Sequence, residues 1–183
     1  MTPVLEVPEI RQRVFPVSLD LYHRLTEGLK TELLRGTIIQ KMSKSPKHRK
    51  LIERLRRMLA VQVEPRWFVF QEGPIATHDS EPEPDLAVVT GPLQSYDEQH
   101  PKTAELVIEI AVTSLETDRV KASIYAEAGV KEYWIVCPDH RLVEVYRHPG
   151  AQGYAEVKCV PAPTVLECAA MEGVHVDLAV LFA

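Results

Sequence analysis

The chain has 183 residues, of which 45% are hydrophobic and 26% charged, with 8 Gly and 14 Pro, which excludes a disordered polymer, a collagen-like repeat and a long coiled coil. A chain of this length buries roughly 70% of its unfolded surface, enough for a core without metal or disulfide staples, and residues 1-183 are expected to form one domain. The formal net charge of −5 excludes nucleic-acid binding by bulk positive charge and leaves a local basic patch as the electrostatic route to a polyanion.

An extended, Pro-punctuated arm opens the chain, and Ser18 is placed to cap a helix over about 19 to 29, ended by Gly28. Glu32 to Ile39 reads as two short strands around an Arg35-Gly36 turn, because Gly supplies the positive φ of a tight hairpin. Ser45-Pro46 starts a helix to about 62, with Ser as cap and Pro at a position that loses no hydrogen bond. His48, Leu51, Ile52, Leu55 and Leu59 fall on its apolar face, and Arg49, Lys50, Arg54, Arg56 and Arg57 point elsewhere. Arg66 to Gln71 and Asp85 to Val89 are β-rich runs joined through turn-forming SEPEP.

Ala104 to Val112 is apolar enough for a central strand buried on both faces, interrupted by the mid-strand carboxylate of Glu109. Thr117 or Asp118 caps a helix to about Ala128, closed by Gly129, and Glu132 to Cys137 resumes a buried strand. This β-α-β unit favours parallel strands with a right-handed crossover. Arg141 to Arg147 pairs back, and the remainder supplies further edge strands and a short closing helix. The predicted class is α/β, a mixed β-sheet flanked by helices, with an extra N-terminal hairpin and extra C-terminal strands.

Several chemistries lack their motifs. There is no GxxxxGK[ST] loop, GxGxxG, GxSxG or HExxH, so no nucleotide cofactor is expected. Cys137, Cys159 and Cys168 have neither metal nor disulfide spacing and read as reduced structural thiols. No run reaches about 18 apolar residues and the N-terminus lacks a secretory pattern, so a cytoplasmic protein without a membrane partner is expected. The residues left are Asp85, Glu109 and Lys121. A buried carboxylate costs several kcal/mol unless it is protonated, paired with a base or bound to a cation, so Glu109 needs one of these. Two carboxylates and waters suit Mg²⁺ or Mn²⁺. Asp118, Lys121 and Tyr125 recur at i, i+3, i+7 and share a helix face.

The order Pro84-Asp85, Glu109 in an apolar strand, then Asp118-x-x-Lys121-x-x-x-Tyr125-x-x-x-Gly129-Val130-x-Glu132-Tyr133-Trp134-x-Val136 resembles the Uma family (Uma-two) of bacterial endonucleases. That family belongs to the PD-(D/E)XK, restriction-endonuclease-like superfamily. Glu32-Leu33-Leu34-x-Gly36, Ser45-Pro46-x-His48 and Val176-Asp177-Leu178 extend the resemblance over nearly the whole chain. It implies a restriction-endonuclease-like core and a Mg²⁺- or Mn²⁺-dependent endonuclease hydrolysing phosphodiester bonds, in DNA. Asp85 and Glu109, with the Ile110 carbonyl, would hold the cation. Lys121 would replace the lysine that stands in the usual motif where this chain has Ala111, and Glu32 would orient the site. Val112 replaces a usual Ser, Arg35 and Thr37 replace acids, and Cys137 replaces a usual Asp.

Lys41 to Arg57 holds eight Lys or Arg against the single Glu53. Lys47, Arg49, Lys50, Arg54 and Arg57 are therefore the candidate nucleic-acid contacts. His48 is a further candidate for the site, against a packing role. A competing expectation is a catalytically inactive nuclease-fold module that binds nucleic acid or a protein partner. Two-strand cleavage would also call for a homodimer.

Overall fold

The computed structural model describes residues 15–63 and 65–183; most of the extended arm predicted at the start of the chain lies outside them. Ser18 caps helix α1 (Leu19–Thr26), its hydroxyl accepting from the Leu21 amide at 3.3 Å. The helix ends before the predicted 29, because Glu27 leaves the helical region at ψ 123° and Gly28 turns the chain at φ +74°. The predicted hairpin is β1 (Thr31–Leu34) paired with β2 (Thr37–Gln40), with Arg35 at φ 51° and Gly36 at φ 70°. These are the left-handed conformations a two-residue turn requires, and a side chain at Gly36 would collide with Pro16. The hairpin is a sheet of its own, fastened through Leu33–Glu81 backbone bonds of 3.4 and 2.7 Å.

In helix α2 (Pro46–Val63) the Ser45 hydroxyl accepts from the His48 amide at 3.2 Å, as a cap should. The main sheet follows: β3 (Trp67–Gln71), β4 (Leu86–Thr90), β5 (Leu106–Ile110), β6 (Glu132–Cys137), β7 (Leu142–Gly150) and β8 (Gly153–Pro161). Neighbours in that order are hydrogen-bonded, all antiparallel except the parallel β5–β6 pair. Helix α3 (Leu115–Glu127) crosses between β5 and β6, as the β-α-β reading predicts. It starts a turn earlier than either predicted cap. Ser114 stands at its N-cap, so Asp118 lies inside the helix and turns into the protein interior. Gly129, at φ +73°, terminates it where expected.

β8 is the predicted edge strand, whereas β9 (Val165–Glu167) and β10 (His175–Asp177) pair with each other in a separate sheet before helix α4 (Leu178–Leu181). Fully buried Glu132 ties this C-terminal segment to β6. Its carboxylate accepts from the amides of Ala169 at 2.7 Å and Ala170 at 3.1 Å, from Trp134 Nε1 at 2.8 Å and from Arg147 Nε at 3.0 Å.

Period-two alternation divides the core between the two faces of the sheet. Leu86, Val88, Leu106, Ile108 and Ile110 join Leu51, Leu55 and Leu59 of α2. Ala87, Val89 and Val107 join Ala122 and Tyr125 of α3. By the same alternation Glu109 shares the face of Val107 and projects toward α3.

Candidate active site

Leu86 lies opposite Ile108 in the antiparallel β4–β5 pair. One further step of that register sets Asp85 opposite Glu109, at the end of the sheet where β4 enters and β5 leaves. The Asp85 amide donates to Glu109 Oε2 at 3.3 Å, and Asp85 Oδ2 accepts from the Ile110 amide at 2.8 Å. Asp85 and Glu109 are each 4% exposed.

Lys121 reaches this pair from α3. Its Nζ lies 3.0 Å from Glu109 Oε1, 3.0 Å from Glu32 Oε1 on β1, and 3.6 Å from Asp118 Oδ1 one turn back on its own helix. Tyr125 donates from its hydroxyl to Glu109 Oε1 at 3.1 Å, and Ser114 donates to Asp118 Oδ2 at 2.6 Å. Glu32 also accepts from the Glu83 amide at 3.3 Å. On the opposite side Asp85 meets two further partners, Lys44 Nζ at 2.7 Å from Oδ1 and His48 Nε2 at 2.9 Å from Oδ2. The His48 Nδ1 atom is buried without a hydrogen-bond partner among the described residues.

All six predicted site residues, Asp85, Glu109, Ile110, Lys121, Glu32 and His48, line one cavity of about 310 Å³. Three further side chains, Lys44, Asp118 and Tyr125, pair with side chains of this set, and none of them is among the predicted site residues. Lys44 sits in an irregular loop and carries no periodic signal. Asp118 was read as a cap. Tyr125 shares the helix face of Lys121 and also packs, with its ring centroid 4.9 Å from that of Tyr133. The helix-face spacing of Asp118, Lys121 and Tyr125 was the signal that could have found the last two.

Four buried carboxylates in one cavity repel one another. Burial pushes Glu109 up to about 8, opposed by Lys121 and reinforced by Asp118, Asp85 and Glu32. Asp118 is also raised, first by burial. Asp85 faces burial too, but the hydrogen bond to His48 and the charge of Lys44 outweigh it and hold its carboxyl low. Lys121 is raised despite burial by the surrounding Glu109, Glu32 and Asp118, so it is an ammonium at every physiological pH. It donates hydrogen bonds and stabilises negative charge; it is no proton acceptor.

No three His, Cys, Asp or Glu side chains cluster as a metal-binding group among the described residues. The donor chemistry still fits a hard divalent ion. Mg²⁺ takes one or two carboxylates and keeps waters for its remaining positions. Asp85 Oδ1 already attracts a cation, Lys44, and the Ile110 carbonyl has one lone pair in use, accepting from the Val112 amide at 3.1 Å.

The basic residues of α2 diverge. Lys47 pairs with Asp139 at 2.5 Å, and Arg57 with Glu53 at 2.5 Å. Arg54 donates to the carbonyls of Leu181 and Ala183, both at 2.7 Å, and so caps the C-terminal helix. Arg49 and Lys50 are exposed and have no ion pair among the described residues, and Arg49 lines a groove that adjoins the site cavity and shares Lys41, Met42 and Lys44 with it. Burial pushes the Cys137 and Cys168 thiols up to about 11 and about 12, away from the thiolate form. No helix among the described residues is long and apolar enough to cross a membrane.

The model of a family described as "Uma2: Putative restriction endonuclease" matches residues 19–180. Among curated proteins nothing matches. Among solved structures, one described as a putative nuclease belonging to DUF820 from Anabaena variabilis is 22% identical, with a TM-score of 0.78 over 91% of this chain and 98% of that chain. The type IIG restriction endonuclease BpuSI is 14% identical, with a TM-score of 0.44 over 74% of this chain and 15% of that chain. The first of these shares the fold, a six-stranded mixed sheet flanked by helices, and the family match spans nearly all of the described residues: the chain belongs to the Uma2 family of restriction-endonuclease-like proteins.

Proposed function

We propose that the protein is a Mg²⁺- or Mn²⁺-dependent endonuclease that hydrolyses phosphodiester bonds in DNA. One observation carries this reading: Asp85 and Glu109 meet at facing strand ends, with the Lys121 ammonium 3.0 Å from Glu109. Asp85, Glu109 and the Ile110 carbonyl would hold the ion. When bound, such an ion lowers the pKa of a coordinated water and neutralises phosphate charge. Lys121 would donate to the attacking water or to the phosphoryl oxygens on which negative charge develops, in a cavity already built before substrate arrives. Glu32, on the other side of Lys121, fixes the direction of that ammonium. His48 fixes the Asp85 carboxylate through Oδ2. Arg49 and Lys50 supply contacts to the phosphate backbone from the exposed side of α2.

The test is plasmid cleavage by the full chain with Mg²⁺, with Mn²⁺ and with chelator. Nicking or linearisation with either metal, none with chelator and none from Asp85→Asn or Glu109→Gln is the expected outcome. A wild-type protein inert with both metals overturns the reading.

A second reading is favoured by a separate observation, that Asp85, Glu109, Glu32 and Asp118 all have protein cations within 3.6 Å. In it the chain is a catalytically silent module binding nucleic acid or a protein partner. A metal-independent, salt-sensitive DNA mobility shift that disappears when Arg49 and Lys50 are neutralised identifies that case.

A further inference from the structure

The loop from Lys41 to Ser45 joins β2 to α2 and separates two adjoining cavities, the site and the groove lined by Arg49 and Lys30. It has no regular secondary structure and is held by ion pairs. Lys41 Nζ lies 2.6 Å from Glu83, and Lys44 Nζ bridges Glu72 at 2.5 Å and Asp85 at 2.7 Å.

The two oxygens of Asp85 are unequally used. Oδ2 takes both the Ile110 amide, at 2.8 Å, and His48 Nε2, at 2.9 Å. Oδ1 takes Lys44 alone among the described residues. Oδ1 is therefore the atom of Asp85 left for a metal ion, and an ammonium group stands on it. The second partner of Lys44 differs in setting: the Glu72 side chain is 42% exposed, against 6% for Asp85.

We propose that Lys44 is a resident counter-ion that competes with the divalent ion for Asp85 Oδ1 and, once displaced, presents its ammonium to the phosphodiester of the substrate. The inference rests on the metal-dependent reading of Asp85 given above. Loss of Asp85 leaves Lys44 tethered to Glu72 in the wall shared by the two cavities, where Arg49 also lies. An anionic phosphate replaces the charge that Asp85 provided, so metal loading and substrate binding favour each other through this one side chain.

Calorimetric titration with Mn²⁺ alone tests the first half, using wild type, Lys44→Met, Lys44→Arg and Asp85→Asn. Lys44→Met is expected to bind Mn²⁺ about tenfold more tightly, because a competing charge at ion-pair distance has gone. Lys44→Arg keeps the competing charge and stays near wild type, which separates competition from loop packing. The second half is read from affinity for a short DNA duplex in Ca²⁺, which Lys44→Met is expected to weaken severalfold. Lys44→Gln repeats both measurements if the Met variant melts early. Mn²⁺ affinity that is unchanged or lower in both neutral variants overturns the proposal, and so does unchanged duplex affinity. Asp85→Asn binding Mn²⁺ as wild type does would instead refute Asp85 as a ligand, whatever Lys44 does.

Discussion

The backbone of each acid holds the other: the Asp85 amide donates to Glu109 Oε2 at 3.3 Å, and one residue past Glu109 the Ile110 amide donates to Asp85 Oδ2 at 2.8 Å. Main chain thereby holds one oxygen of each carboxylate, beside the side chains of Lys121 and Tyr125 on Glu109 and of Lys44 and His48 on Asp85. The position of the site is set by the β4–β5 register, and a one-residue slip would destroy it.

Asp85→Asn separates geometry from charge. The amide oxygen still accepts from Ile110, so the melting temperature should stay within a few degrees of wild type. Cleavage should fall by about 10³, the scale of losing a key electrostatic group in an active site. Thermal melting beside plasmid nicking checks both halves.

Lys121→Met should be severely destabilising, by about 3–5 kcal/mol, because it strands Glu32, Glu109 and Asp118 without their shared cation. Urea denaturation reads this directly. Adding Glu109→Gln should recover part of the loss, and a double-mutant cycle gives the coupling.

Glu109 makes stability depend on pH in an unusual direction. Its folded pKa, about 8, lies above the ordinary value of 4.5. Between those values the native chain binds more protons than the unfolded one, so this carboxyl lowers stability as pH rises across the window. The slope has an upper bound of about 1.4 kcal/mol per pH unit. Glu109→Gln removes it, so in metal-free buffer the variant should gain on wild type from pH 5 to 8 while losing activity. Parallel stability curves would refute the assignment.

On the proposed function, the basic helix divides into residues that meet DNA and residues that hold the fold. Arg49→Glu with Lys50→Glu should weaken DNA binding and flatten its salt dependence while leaving the fold intact. Arg54→Ala should do the reverse, lowering the melting temperature by about 2–4 °C through lost capping of α4 with little change in DNA affinity. Binding isotherms at two salt concentrations distinguish the two.

Glu132→Ala should cost several kcal/mol, since it releases two backbone amides, Trp134 Nε1 and the Arg147 guanidinium from one buried acceptor. Limited proteolysis should then cut within 162–174 before any other described segment.

Elements with a periodic or capping signal were legible in the sequence: the Arg35-Gly36 hairpin, the Ser45-capped helix and the parallel β5–β6 pair all stand where residue pattern put them. The buried acid Glu109 was legible too, because a charge inside an apolar run demands a partner. Lys44 was not, since an irregular loop carries no period and its destination depends on tertiary folding. Asp118 misled for a different reason. Its hydroxyl partner, Ser114, lies four residues upstream and sets the helix start a turn earlier, so an apparent cap became an interior acid. The pairing of Arg54 with carbonyls at the far end of the chain was equally beyond local inspection.

The hairpin of β1 and β2 is a sheet apart from the six-stranded one, yet it delivers Glu32 to the site. The floor of the cavity, built on β4 and β5, and this one wall therefore belong to different sheets. The wall is held by backbone bonds to Glu81, by the buried Leu33 and Leu34 side chains, by the Glu32–Lys121 ion pair and by the Arg35 clasp on Asp79 and Glu127, with no strand-to-strand bond to the central sheet among the described residues. Native-state deuterium uptake at Leu33, whose amide donates to the Glu81 carbonyl, then reports how often this wall detaches, and uptake faster than at the central strands marks an opening that belongs to the hairpin.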